Sequence, residues 1–191
     1  MRRLKVLFLI PLCLILISEG YSEEYRLPYF LEKCSNRSLE VSKKERVELL
    51  NQVEKVLEQT KQIQVSLSRA IQLGEADIRF QEGQFWMNRL DEDQKAIETG
   101  AGQLKILREK PANLVAAIIL YKSLKDLAFH FNSCSNIPAF APYIGDVAPE
   151  LELWADPVFF KIYLLPLAQQ KGLESKPPGK EKKTEIKGKK P

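Results

Sequence analysis

Between Lys43 and Leu73 the apolar residues fall three and four apart. Leu50, Val53, Leu57, Leu67 and Ile71 form one row, and Leu49, Val56, Ile63 and Ala70 widen it. Glu54, Glu58, Lys61 and Arg69 occupy the opposite face. That spacing belongs to an α-helix with one buried side. Ser42 and Glu45 stand where a capping box would open it, the hydroxyl and the carboxylate each taking a free backbone N–H. Such a helix is roughly 45 Å long at 1.5 Å per residue. Thr60 and Gln64 dilute the stripe, which favours a bundle helix over an intermolecular coiled coil.

Gly74 ends or bends that helix. Glu75 to about Glu98 forms the next period, with Ile78, Phe85, Trp86, Leu90 and Ile97 as its apolar members. Gly100-Ala101-Gly102 predicts a break or kink. Gln103 to Lys110 then adds a turn or two, closed by Pro111. The same proline suits the first turn of a third helix reaching about Asn132. That helix is apolar on nearly all sides between Leu114 and Tyr121, so it belongs at the centre of the fold.

The segment SCSNIPAFAPYIGDVAPE holds three prolines and a glycine and reads as a long connection. Val147 at its end shares helical spacing with Leu151 and Trp154 just beyond it, so a short helix can form there. Asp156-Pro157 predicts the start of a last helix, Asp as cap and Pro at the first position. Pro166 should kink it. Its apolar residues cover every side, interrupted by Lys161 alone, so it lacks the cationic face of a membrane-surface helix. The core is its expected place. The pattern as a whole predicts an all-α fold, an antiparallel bundle of three long helices closed by a shorter, Pro-kinked C-terminal helix.

The ends of the chain read differently from this body. Arg2, Arg3 and Lys5 precede a twelve-residue apolar run, Val6–Ile17, with small residues at Ser18, Gly20 and Ser22. This is the layout of a cleavable secretory signal over residues 1–20, and the run is too short to span a bilayer. Residues 21–170 form the expected domain, and 171–191 a Lys-rich tail expected to be disordered. The whole chain carries +4. Removing the leader's net +2 and the tail's net +5 leaves the body at −3, without the basic footprint of a nucleic-acid-binding domain. A secreted or periplasmic location follows from the leader. The tail could make weak, salt-sensitive contact with anionic polymers or surfaces.

Export gives the cysteines meaning. Cys13 leaves with the signal, and Cys34 and Cys134 form an even pair expected to be one disulfide. It would close a loop of about 100 residues, worth up to about 4.7 kcal/mol. It requires the N-terminal segment to run back along the bundle and bring the two α-carbons within about 7 Å. Asn36-Arg37-Ser38 matches the N-glycosylation acceptor pattern.

Candidate chemistry is sparse. His130 is the only histidine. It lies one helical turn before Cys134, but no orienting carboxylate is evident in the sequence and a structural role is expected. One histidine without a CxxC pair gives no zinc site. Asp91-Glu92-Asp93 has no glycine-turned loop to make a calcium site. Arg79, Glu82, Trp86, Arg89 and Asp93 share helical spacing, expected as an intrahelical charge ladder around one Trp, with a polar seam facing a ligand between helices as the alternative. No phosphate loop, nucleophile elbow or dinucleotide fingerprint is present. No cofactor is implied. The expected function is a non-enzymatic binding or scaffold protein with a protein partner. Its candidate surface is Trp86, Tyr121, Phe131, Phe140, Tyr143, Trp154, Phe159 and Phe160. The alternative is a carrier holding an apolar ligand between helices, lined by Trp86, Tyr121, Phe131 and Phe159.

Overall fold

A computed structural model describes residues 25–36 and 40–174, with side chains to Gln170. The expected leader, residues 1–20, lies outside these residues, as do Arg37 and Ser38 of the acceptor pattern and residues 175–191. Among the described residues every regular element is helical: α1 (Leu27–Ser35), α2 (Lys43–Gln72), α3 (Phe80–Glu109), α4 (Leu114–Ser135), α5 (Ala141–Ile144) and α6 (Val147–Leu153). A π-helix (Trp154–Leu164) and α7 (Leu165–Glu174) follow without a break. The first four residues of the expected tail thus extend a helix.

The long helices form a ring. α3 packs on both α2 and α4, and α6 with the π-helix closes the other side between α4 and α2. Each neighbour runs antiparallel to the last. Leu57 meets Gly100 while Gln64 meets the Leu90 carbonyl. Asp93 meets His130 while Gly100 meets Ser123. The bundle is therefore four-stranded, and its fourth member is the composite run from Val147 to Glu174.

The capping box at Ser42 is formed: Glu45 N–H donates to Ser42 Oγ at 3.2 Å, and Ser42 N–H donates to Glu45 Oε2 at 2.7 Å. Gly74, at φ 69°, ends α2. Its N–H reaches the Ile71 carbonyl and that of Glu75 reaches Ala70, the paired bonds of a Schellman stop. The two polar interruptions of the stripe both find partners inside. Thr60 donates to the Val56 carbonyl at 2.7 Å, and Gln64 donates to that of Leu90 at 3.1 Å.

Four expectations need correction. α3 does not break at Gly100-Ala101-Gly102. Gly100 is buried, and a Cβ there would lie 3.1 Å from Leu57 Cδ1, so this glycine lets α2 approach α3 closely. α4 starts at Leu114 rather than Pro111, because Asn113 accepts the Ala116 N–H and caps it. The last helix does not start at Asp156. It begins at Val147 and passes through Pro157, which lacks an N–H and crowds the preceding turn. The backbone carries it in a widened π turn instead of ending.

The fourth correction concerns the cysteines, which are two free, buried thiols. Cys34 donates to the Pro157 carbonyl. Pro157 follows Asp156, which is held by Lys125 of α4 at 2.7 Å. Cys134 lies nine residues beyond Lys125 on the same helix, roughly 13 Å further along. α1 lies against the π-helix, with Phe30 beside Trp154 and Cys34 beside Pro157, which leaves Cys34 apart from Cys134. Burial raises the pKa of both thiols, that of Cys134 to about 12 with Asp93 adding to the effect. Thiol titration without reductant should find neither group in the folded protein and both after unfolding. Neither after unfolding would restore the bridge.

α1 is held by Glu45. Beyond its capping bonds, this buried carboxylate accepts from Tyr29 and Lys33. Burial alone would raise its pKa; the bonds from Lys33, Tyr29 and Ser42 outweigh that and bring it down to about 2. A folded pKa below the unfolded one stabilises the fold above pH 4.5 and loses that contribution as pH falls toward 2. Glu45→Gln is expected to cost about 2–3 kcal/mol at pH 7 and almost nothing near pH 2, read by urea unfolding.

Candidate functional site

The outer seam between α4 and the composite helix carries a polar knot between apolar side chains. Tyr121 and Lys125 lie one turn apart on α4 and face Asp156 of the π-helix. Tyr121 Oη donates to Asp156 Oδ1 at 2.6 Å, and Lys125 Nζ donates to Asp156 Oδ2 at 2.7 Å and to Glu152 Oε1 at 2.5 Å. Lys125 and Tyr121 hold the Asp156 pKa below its ordinary value, and Asp156 in turn raises that of Tyr121. The Phe160 ring lies 5.5 Å from that of Tyr121. Ile118, one turn before Tyr121, and Phe129, one turn after Lys125, are exposed, Phe129 by 71 %. The Asp156 carboxylate expected to cap a helix instead ties the π-helix to α4.

A second constellation is internal. Trp86, Arg89 and Asp93 of α3 converge on His130 of α4. His130 Nδ1 lies 2.7 and 2.6 Å from the two Asp93 oxygens. Arg89 Nε donates to His130 Nε2 at 3.3 Å, so Nδ1 carries the ring proton. Trp86 stacks on the imidazole at 6.0 Å. Asp93 and His130 are both buried, and burial raises the Asp93 pKa against the pull of His130. Three of the five residues expected to form a ladder along α3 thus serve a contact between helices. The carboxylate missing from the Cys–His reading exists, but both imidazole nitrogens are taken and burial keeps Cys134 protonated. The thiol is no nucleophile in this state.

The eight candidate surface residues do not share one surface. Phe131, Phe140, Trp154 and Phe159 are fully buried, and Trp86 and Tyr143 are half-buried against the core. Tyr121 and Phe160 alone come together at the seam. The carrier lining does not converge either. Phe131 adjoins His130 near Trp86, whereas Tyr121 lies ten residues earlier on α4, roughly 15 Å away. Phe159 stacks on Tyr163 at 5.1 Å. Lys125, Glu152 and Asp156 escaped sequence reading because charges 27 and 31 residues apart carry no local signature. Asp93 had one: Leu90, Asp93, Ile97, Gly100 and Leu104 mark the buried row of α3, and a carboxylate there requires a partner.

At the other end of the composite helix an open pocket of ≈ 380 Å³ includes Arg46, Pro111, Ile162, Tyr163 and Leu167 in its walls. The Arg46 guanidinium lies over the Tyr163 ring, 5.8 Å from its centre. Burial raises the Tyr163 pKa to about 12, and its hydroxyl donates to the Pro111 carbonyl at 3.0 Å. Among the described residues no three His, Cys, Asp or Glu side chains are grouped to hold a metal ion. No described helix is long and apolar enough to cross a membrane. The fold and these sites define an all-α bundle with a π-helical fourth member. Comparison with protein-family models, with curated proteins and with solved structures finds no match.

Proposed function

We propose that this chain is an exported, non-enzymatic helical binding or scaffold protein that meets a protein partner along the seam between α4 and the π-helix. The export part rests on the leader-like N-terminus. The binding part rests on one observation, the partly exposed Tyr121–Phe160 pair fixed by Asp156 and flanked by bare Ile118 and Phe129. Interface energy concentrates in aromatic anchors whose rotamers are set before binding. Lys125 is occupied by two carboxylates, so the seam presents little free charge and suits an apolar protein surface. π turns recur at functional positions, which adds weight to this face.

A photo-crosslinking residue in place of Phe129, in cells that make the protein, is expected to give one discrete protein adduct. The same residue in place of Phe80 is the control, since Phe80 is more exposed, at 85 %, and lies at the first turn of α3. Tyr121→Ala together with Phe160→Ala should abolish the Phe129 adduct. No adduct at Phe129, or the same adduct from Phe80, contradicts the assignment.

A further inference from the structure

We infer that the partner at the seam is a second copy of this chain, packed two-fold with its α4 antiparallel to this one. The inference rests on the seam reading above and names what fills it. Five exposed side chains form one row down the outside of α4: Val115, Ile118, Lys122, Asp126 and Phe129. Their spacing of three and four keeps them in one stripe of the helix. Val115, Ile118 and Phe129 are 65 %, 48 % and 71 % exposed. Lys122 and Asp126 pair with each other one turn apart, and both face solvent.

A two-fold contact presents the same surface on both copies, so if one residue meets another, the second meets the first in return. The row meets that condition. Lys122 and Asp126 stand symmetrically about Leu124, and Ile118 and Phe129 nearly so. An axis crossing α4 level with Leu124 sets Lys122 against the mate's Asp126 and Ile118 against the mate's Phe129, each contact made twice. A parallel arrangement would set Lys122 against its own copy. The existing pair keeps its bond in the antiparallel register. An ammonium has three N–H groups and a carboxylate about four acceptor sites, so the two pairs close into a ring of alternating charge. The neighbouring helix agrees. Lys125 bonds Glu152 and Tyr121 bonds Asp156, which puts Leu153 of α6 level with Leu124. Leu153 is 39 % exposed, and the same axis brings it toward its own copy. Lys125 and Glu152, next to that level, are bonded to each other and arrive neutralised. A different protein would not require a row that reads alike from both ends with its charges exchanged.

Sedimentation equilibrium on the protein as isolated from cells tests this with two single variants and their mixture. The unaltered protein should be a reversible dimer. Lys122→Asp makes both central positions of the row acidic, and Asp126→Lys makes both basic. Each alone should weaken dimerisation roughly tenfold or more, because like charges then face each other across the axis. Mixed in equal parts, the two should form a one-to-one heterodimer of nearly the original strength. A purely intrahelical role for the pair predicts no such rescue, since neither variant regains a bond within its own helix. Both side chains are exposed, so both variants should keep the circular dichroism of the unaltered protein. A monomer at millimolar concentration would overturn the inference. So would a dimer indifferent to both variants, or one lost in both and not recovered on mixing. The mass of the Phe129 photo-adduct separates this from the seam reading. Twice the chain mass supports both; the added mass of another protein keeps the seam and overturns the dimer; no adduct overturns both.

Discussion

Trp154→Ala is expected to lower the unfolding free energy by about 3–5 kcal/mol, the cost of emptying a large buried aromatic site. Trp154 is the first residue of the π-helix and is 1 % exposed. Its ring meets that of Phe30 from α1 at 5.8 Å, and its indole N–H points to Glu150 one turn back at 3.4 Å. One side chain thus joins α1, α6 and the π-helix. Its loss should loosen the attachment of α1 as well as open a cavity, so Cys34 should become reactive toward thiol reagents while Cys134 stays protected. Urea unfolding with thiol titration reads both effects. A cost below about 1 kcal/mol would mean that the Trp lies at a surface.

His130→Leu is expected to cost a similar amount, about 3–5 kcal/mol at neutral pH, for a different reason. It leaves the Asp93 carboxylate buried without its imidazole donor, with Arg89 favouring its charge and Glu92 opposing it. Replacing both Asp93 and His130 with Leu should recover most of the loss, because no charge then remains to be desolvated. The single-variant penalty should also shrink on acidification. Burial raises the Asp93 pKa in the folded state, so the folded form takes up a proton before the unfolded form does. Urea unfolding of the two single variants and the double variant at two pH values gives the coupling. Additive losses would show that the pair is not a unit.

The three long helices α2, α3 and α4 were legible in the sequence because their signals are local. The stripe from Leu49 to Ile71 and the Ser42–Glu45 box required only the helical period and the unpaired N–H groups of a first turn. What escaped depends on the neighbouring helix. Gly100 looks like a breaker until Leu57 lies against it. Asp156-Pro157 looks like a helix start until Tyr121 and Lys125 hold the Asp and the backbone widens around the Pro. The expected cysteine pairing follows from compartment and parity, neither of which carries the register of α1 on the bundle. The C-terminal helix is expected in the core, yet its aromatic residues also count as a candidate surface, because the sequence does not say which of them turns inward. Phe160 lies at the surface with Tyr121 half-buried beside it, and Trp154 and Phe159 lie inside.

The central claim is that the C-terminal aromatic segment is consumed by the protein's own core and leaves only its outer edge for a partner. Native-state hydrogen exchange over Val147–Leu164 tests this most directly. Protection there should match that of α3 and α4 and be lost only with global unfolding. Fast exchange of the segment, with α2 to α4 still protected, would contradict it and would make the composite helix an appendage awaiting another surface.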